Sequence, residues 1–136
     1  MWLLGHAVLS LGLSALATTL TPPPGVSADF ETVQRAMSRA ELKATQDTQL
    51  LRGGRDGVHF VSDAVNSSAT RAQNRLALPV RPEVRVTLEV PKGTFSAPTR
   101  VQPFTPPGGG TLPGGGMERT AIGRVPVRIV KVDKLK

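Results

Sequence analysis

The chain contains no cysteine and no tyrosine, and only one tryptophan and four phenylalanines among its 136 residues. Without cysteine it forms no disulfide, builds no thiolate zinc site and carries no thiol-linked lipid. The lone Trp2 lies near the start, so from Asp29 onward the aromatic rings are Phe30, Phe60, Phe95 and Phe104. A core built from those rings with valine, leucine and alanine is thin, and a small unstapled domain of this kind often draws stability from a partner. A protein assembly or a homo-oligomer is therefore the expected setting.

Charge is missing too, but only locally. Met1–Ala28 holds no Lys, Arg, Asp or Glu, whereas the whole chain carries a formal charge of +7. The stretch from Trp2 to Leu20 is apolar, Thr21-Pro22-Pro23-Pro24-Gly25 stops any helix, and Val26-Ser27-Ala28 offers small residues at signal-peptidase spacing. Residues 1–28 thus read as a signal peptide or membrane anchor. The expected location is exported, periplasmic or extracellular. The alternative is a single-pass membrane subunit of a virion or membrane complex, held in the bilayer through residues 1–20 if they stay uncleaved, because the run approaches the ~20 residues of a spanning helix. Against the anchor stand four hydroxyl residues, Ser10, Ser14, Thr18 and Thr19, and two glycines, Gly5 and Gly12. The basic start typical of a leader is missing.

Beyond the leader the pattern is α+β. An N-terminal apolar export or anchor helix is followed by a helical hairpin and then by a few β-strands with a long Gly/Pro-rich loop. Residues 29–78 form the hairpin. Phe30, Val33, Met37, Ala40 and Ala44 recur at three- and four-residue steps, as do Val58, Val61, Val65, Ala69, Ala72 and Leu76. The turn Arg52-Gly53-Gly54-Arg55-Asp56-Gly57 joins the two, and Leu78-Pro79 ends the second. Residues 79–104 form a β-segment, because Glu83–Val90 alternates strictly and puts Val84, Val86, Leu88 and Val90 on one face. Residues 105–116, rich in glycine and proline, read as a linker or mobile loop. Residues 117–136 form a basic C-terminal strand in which Pro126 marks an edge or a beginning and the slip at Ile129-Val130 predicts a bulge.

Catalytic and cofactor motifs are faint. His59 and Asp63, four apart on the expected second helix, would share a face, but with no third ligand in view a surface hydrogen bond is the simpler reading. There is no Gly-x-Ser-x-Gly elbow. Nothing in the spacing selects a pair from Asp56, Asp63, Glu83 and Glu89, and Gly114-Gly115-Gly116-Met117 lacks the lysine and hydroxyl of a P-loop. Asn66-Ser67-Ser68 fits a glycosylation acceptor, which bears only on a eukaryotic chain. These motifs resemble no particular family.

Positive charge is the stronger signal. Arg119, Arg124, Arg128, Lys131, Lys134 and Lys136 crowd the C-terminal end. Such a cluster attracts anionic surfaces, yet no aromatic lies among these residues to stack bases, which disfavours nucleic acid. The expectation is a small, non-enzymatic cell-envelope protein, a basic structural protein that docks onto a larger assembly or an anionic surface without cofactor. The docking residues are Val84, Val86 and Leu88 with Arg124, Arg128, Lys131 and Lys134. The alternative is a small periplasmic enzyme or ligand-binding domain, and its mark would be a deep pocket lined by His59, Asp63 and a strand carboxylate.

Overall fold

The computed structural model describes residues 29–51 and 57–136. The expected export or anchor helix and the turn at 52–56 lie outside the described residues. Eight elements follow one another: β1 (Phe30–Met37), α1 (Arg39–Thr48), β2 (Val58–Val61), α2 (Ala69–Arg75), β3 (Val84–Pro91), β4 (Thr99–Arg100), β5 (Met117–Ile122) and β6 (Arg128–Lys134). They build two three-stranded antiparallel sheets, ordered β1-β3-β6 and β2-β5-β4.

The helical hairpin expected over 29–78 does not form. Each half is a strand followed by a short helix. The misreading has a geometric cause: Val33 and Met37 stand four apart, and an even spacing places two residues on one face of a strand as well as on one face of a helix. The environment decides between them. Arg35, Ala36 and Met37 are all buried, so β1 is covered on both faces and shows no clean alternation. Ser38 then opens α1, its hydroxyl accepting from the Glu41 N–H at 3.1 Å, and Gln49 in the left-handed region closes it. In the second half, only Ala69, Ala72 and Leu76 of the expected stripe belong to α2 and the cap that follows it. Ser68 caps this helix, its hydroxyl accepting from the Arg71 N–H.

β3 is the central strand of its sheet, with alternating burial along its length. One core gathers residues from both sheets: Val33, Met37, Val61, Val84, Val86, Leu88, Val90 and Ala121, closed by Phe95, Val125 and Val127. A second cluster lies beneath α2 and joins Ala36, Val65, Ala72, Leu76, Leu78 and Val101, with Phe60 against it. The two sheets meet where Gln34 and Ser62 exchange backbone hydrogen bonds of 2.7 and 2.8 Å.

The Gly/Pro-rich stretch is irregular but anchored. Phe104 and Leu112 exchange backbone bonds, and the Gly114, Gly115 and Gly116 N–H groups donate to the Asn74, Val101 and Arg75 carbonyls. β5 begins directly after it, at Met117. In β6 the register against β3 shifts between Thr87 and Leu88, which leaves Val130 without an opposing residue. Among the described residues, no helix is long and apolar enough to cross a membrane.

Candidate functional site

The last regular pair of the β2–β5 ladder is Val61 with Arg119. Beyond it the strands part. Ser62 turns toward β1, while Met117 and Glu118 continue against Arg100 and Thr99 of β4. A cavity of about 470 Å³ occupies the opening, inside the ~300–1,000 Å³ range of small-molecule sites. Its floor is the apolar side of α2, through Ala72 and Leu76. Its polar lining comes from separate segments: Ser62, Asp63 and Asn66 from the β2–α2 connection, and Arg75 from the last turn of α2.

Local hydrogen bonds fix these side chains. The Ser62 hydroxyl accepts from the Ala64 N–H and donates to the Ala64 carbonyl at 3.0 Å. Asn66 Oδ1 accepts from the Ser68 N–H at 2.8 Å, tying the loop to the start of α2. Arg75 sits at the helix end, where its charge is favourable, and its carbonyl receives the Gly116 N–H. The β2–β5 ladder ends one step short of Ser62 and Glu118, and on the other side of β5 Thr99 pairs with Glu118. Glu118 and Thr99 therefore share one face of the second sheet, with Glu118 Oε2 shielded from solvent.

The rim is held by Arg119. Its guanidinium grips Glu31 of β1 bidentately at 2.8 and 3.1 Å, reaches Asp63 at 2.9 Å and donates from Nε to the Ser96 carbonyl at 2.8 Å. One side chain thus joins β1, the cleft rim and the loop before β4. The hydrogen bond from Arg119 holds the Glu31 carboxyl below the usual carboxylate range, and the same bond raises the Arg119 guanidinium.

Behind the cleft, Arg35 donates to the Phe60 carbonyl and to Glu41, which fastens β1 to β2 at the seam between the sheets.

The sequence-derived candidates are dispersed. His59 is buried within β2, and Asp63 lies beyond its end at the cleft rim. On an extended chain four residues span ~13 Å, so these two cannot clasp one ion as they would on a helix. Glu83 accepts from the Arg39 N–H at 2.8 Å and Glu89 pairs with Arg128 at 2.7 Å. Val84, Val86 and Leu88 are buried within the chain between β1 and β6. Arg124 is exposed beyond β5, while Arg128, Lys131 and Lys134 lie along β6.

Ser62, Arg75 and Glu118 escaped the sequence reading, and Asn66 entered it only as a glycosylation acceptor, because the fold sets the β2–α2 segment against β5 across a long separation. Arg119 and Asp63, for example, stand 56 positions apart. The one local trace is the polar Ser62-Asp63 that ends the short alternating run Val58–Val61. No family model matches the chain, and no curated protein or solved structure matches it either.

Proposed function

We propose that the chain is a small-molecule-binding domain with catalytic capacity, whose substrate enters the cleft between β2, β5 and α2. The observation that carries this reading is the convergence of Ser62, Asp63, Asn66 and Arg75 on one cavity that Met117 also lines, with the half-buried Glu118 next to it in the chain. It favours the enzyme or ligand-binding alternative over a purely structural protein, although His59 takes no part. Export through Met1–Ala28 stands beside it as a proposal from sequence alone.

The residues narrow the chemistry. His59 shares a face with Val61 and Ala121, opposite to that of Ser62, so among the described residues no imidazole is placed to activate Ser62. Asp63 is engaged by Arg119. Glu118, half-buried and next along β5 to Met117 of the cavity lining, is the carboxylate we assign to the reacting centre. A single carboxylate suits stabilisation of positive charge developing on a sugar carbon, where the paired acid of an ordinary glycosidase would protonate the leaving group. With Asp63 held by Arg119, the leaving group departs unaided, as a neutral base does from a cationic N-glycoside, and water takes its place on the sugar carbon and releases a proton to solvent. Arg75 at the cleft wall supplies a fork for phosphate. The substrate class that fits is a phosphate-bearing N-glycoside such as a nicotinamide dinucleotide.

The full chain is incubated with nicotinamide dinucleotide, with nucleoside monophosphates and with a neutral riboside, and free base is measured by chromatography. Release from the cationic dinucleotide is expected. Glu118→Gln should lose release yet retain binding, and Arg75→Gln should weaken binding of the phosphorylated probes. Absence of both binding and release across the panel overturns the proposal.

A further inference from the structure

The edge of the first sheet lies away from the cleft, and it has a character of its own. Among the described residues β6 pairs only with β3, so its other side presents free backbone positions from Arg128 to Lys134. Such an edge is a template for another strand. Val130 and Val132 are 56 % and 41 % exposed on it. The cations Arg128, Lys131 and Lys134 alternate with these valines, and Arg124 stands just before.

A second feature joins that edge. At the end of β6 a depression of about 340 Å³ is lined by Arg39, Arg81 and Lys134 with Glu83 and Leu135. Both nearby carboxylates are already engaged, Glu83 by the Arg39 N–H and Asp133 by Arg85 and Lys131. The surface therefore favours an anionic visitor. An extended segment has the right form for a strand edge, and its acidic side chains would meet the cations.

We infer that β6 docks an acidic protein segment by strand addition, with one carboxylate of that segment seated in the Arg39–Arg81–Lys134 depression. Main-chain hydrogen bonds supply the affinity and the cations choose the partner. A second copy of this chain does not fit. Antiparallel pairing of β6 with itself would set Arg128 beside Lys134, and like charges directly opposite are destabilising.

The test uses the full chain and a capped, fluorescent peptide of alternating glutamate and valine, with its lysine–valine counterpart as control. Anisotropy should report binding of the acidic peptide alone, weakened by added salt. The double change Lys131→Glu and Lys134→Glu should lower affinity by ~10-fold or more. Amide hydrogen exchange on the unaltered chain should show protection gained within residues 128–134, a readout that needs no variant to fold. Equal binding of the two peptides, unchanged binding by the charge-reversed chain, or protection confined to other elements overturns the inference. So does capture of the chain by anionic vesicles without peptide binding, or a dimer in light scattering that β6 charge reversal strengthens. Glu118→Gln leaves this surface intact, so peptide binding and base release fail separately.

Discussion

Arg35 Nη2 donates to Glu41 Oε2 at 3.0 Å, and both side chains are fully buried. The pair locks the first turn of α1 onto β1. A buried ion pair adds little net stability against an apolar replacement, but losing one partner strands the other charge. Glu41→Leu alone should therefore cost about 3–5 kcal/mol in urea unfolding. Arg35→Met with Glu41→Leu should recover much of that loss. A single variant as stable as the parent would remove the pair from any structural role.

The Arg119 clamp predicts a pH dependence. Glu31 has a folded-state pKa below its unfolded value, chiefly through its hydrogen bond from Arg119. The stability it contributes is fully present above the unfolded carboxylate pKa and is lost as pH falls through the depressed folded value. Thermal melts from neutral to acid pH should show this loss in the parent chain. Glu31→Gln should flatten that part of the profile, and an unchanged acid limb would show that the clamp is silent.

How much of this arrangement can be read from residues alone depends on the period of each segment. Val84–Val90 is legible because β3 meets the core on one face and a polar layer on the other, so its alternation is clean. The bulge near Val130 is legible for the same reason, as a slip in a regular pattern. β1 is not, since Arg35 and Ala36 are both buried on opposite faces and the surviving Val33–Met37 spacing suits either period. The cleft was beyond local reading. Ser62 and Glu118 lie one step past the last pair of the β2–β5 ladder, Val61 with Arg119, and no single-segment pattern encodes that register.

Gly114 is the point at which the Gly/Pro-rich stretch turns inward. It sits at φ +70°, and a Cβ there would lie 2.5 Å from the Val101 carbonyl oxygen and 2.8 Å from that of Gln102. Gly93 has a similar φ of +86° with open space around it. Gly93→Ala should thus cost only the backbone strain, ~1 kcal/mol, whereas Gly114→Ala should cost more, ~3 kcal/mol or above, because backbone must move as well. The displaced backbone leads directly into Gly116 and Met117 on the cleft wall, so ligand affinity should fall with it. Chemical denaturation and probe titration on the two variants provide the comparison. Equal costs would mean that 105–116 is not held against Asn74 and Arg75 in solution.

Val86 and Val130 separate core from edge. Val86 is fully buried in the central strand, opposite Arg35 on β1 and Val132 on β6. A carboxylate placed there would be desolvated among apolar neighbours, and although Arg35 lies across the ladder its guanidinium already serves Glu41 and the Phe60 carbonyl. Val86→Asp should therefore cost several kcal/mol, of order ~3, and abolish a cooperative melt in a domain this small. Val130 is more than half exposed at the bulge, so Val130→Asp should change stability by no more than ~0.5 kcal/mol. It should nevertheless weaken the acidic peptide, because it sets a negative charge among Arg128, Lys131 and Lys134. If Val86→Asp melts like the parent, β3 is not the centre of the sheet. If Val130→Asp instead unfolds the chain, the edge strand is packed against something and is not open for pairing.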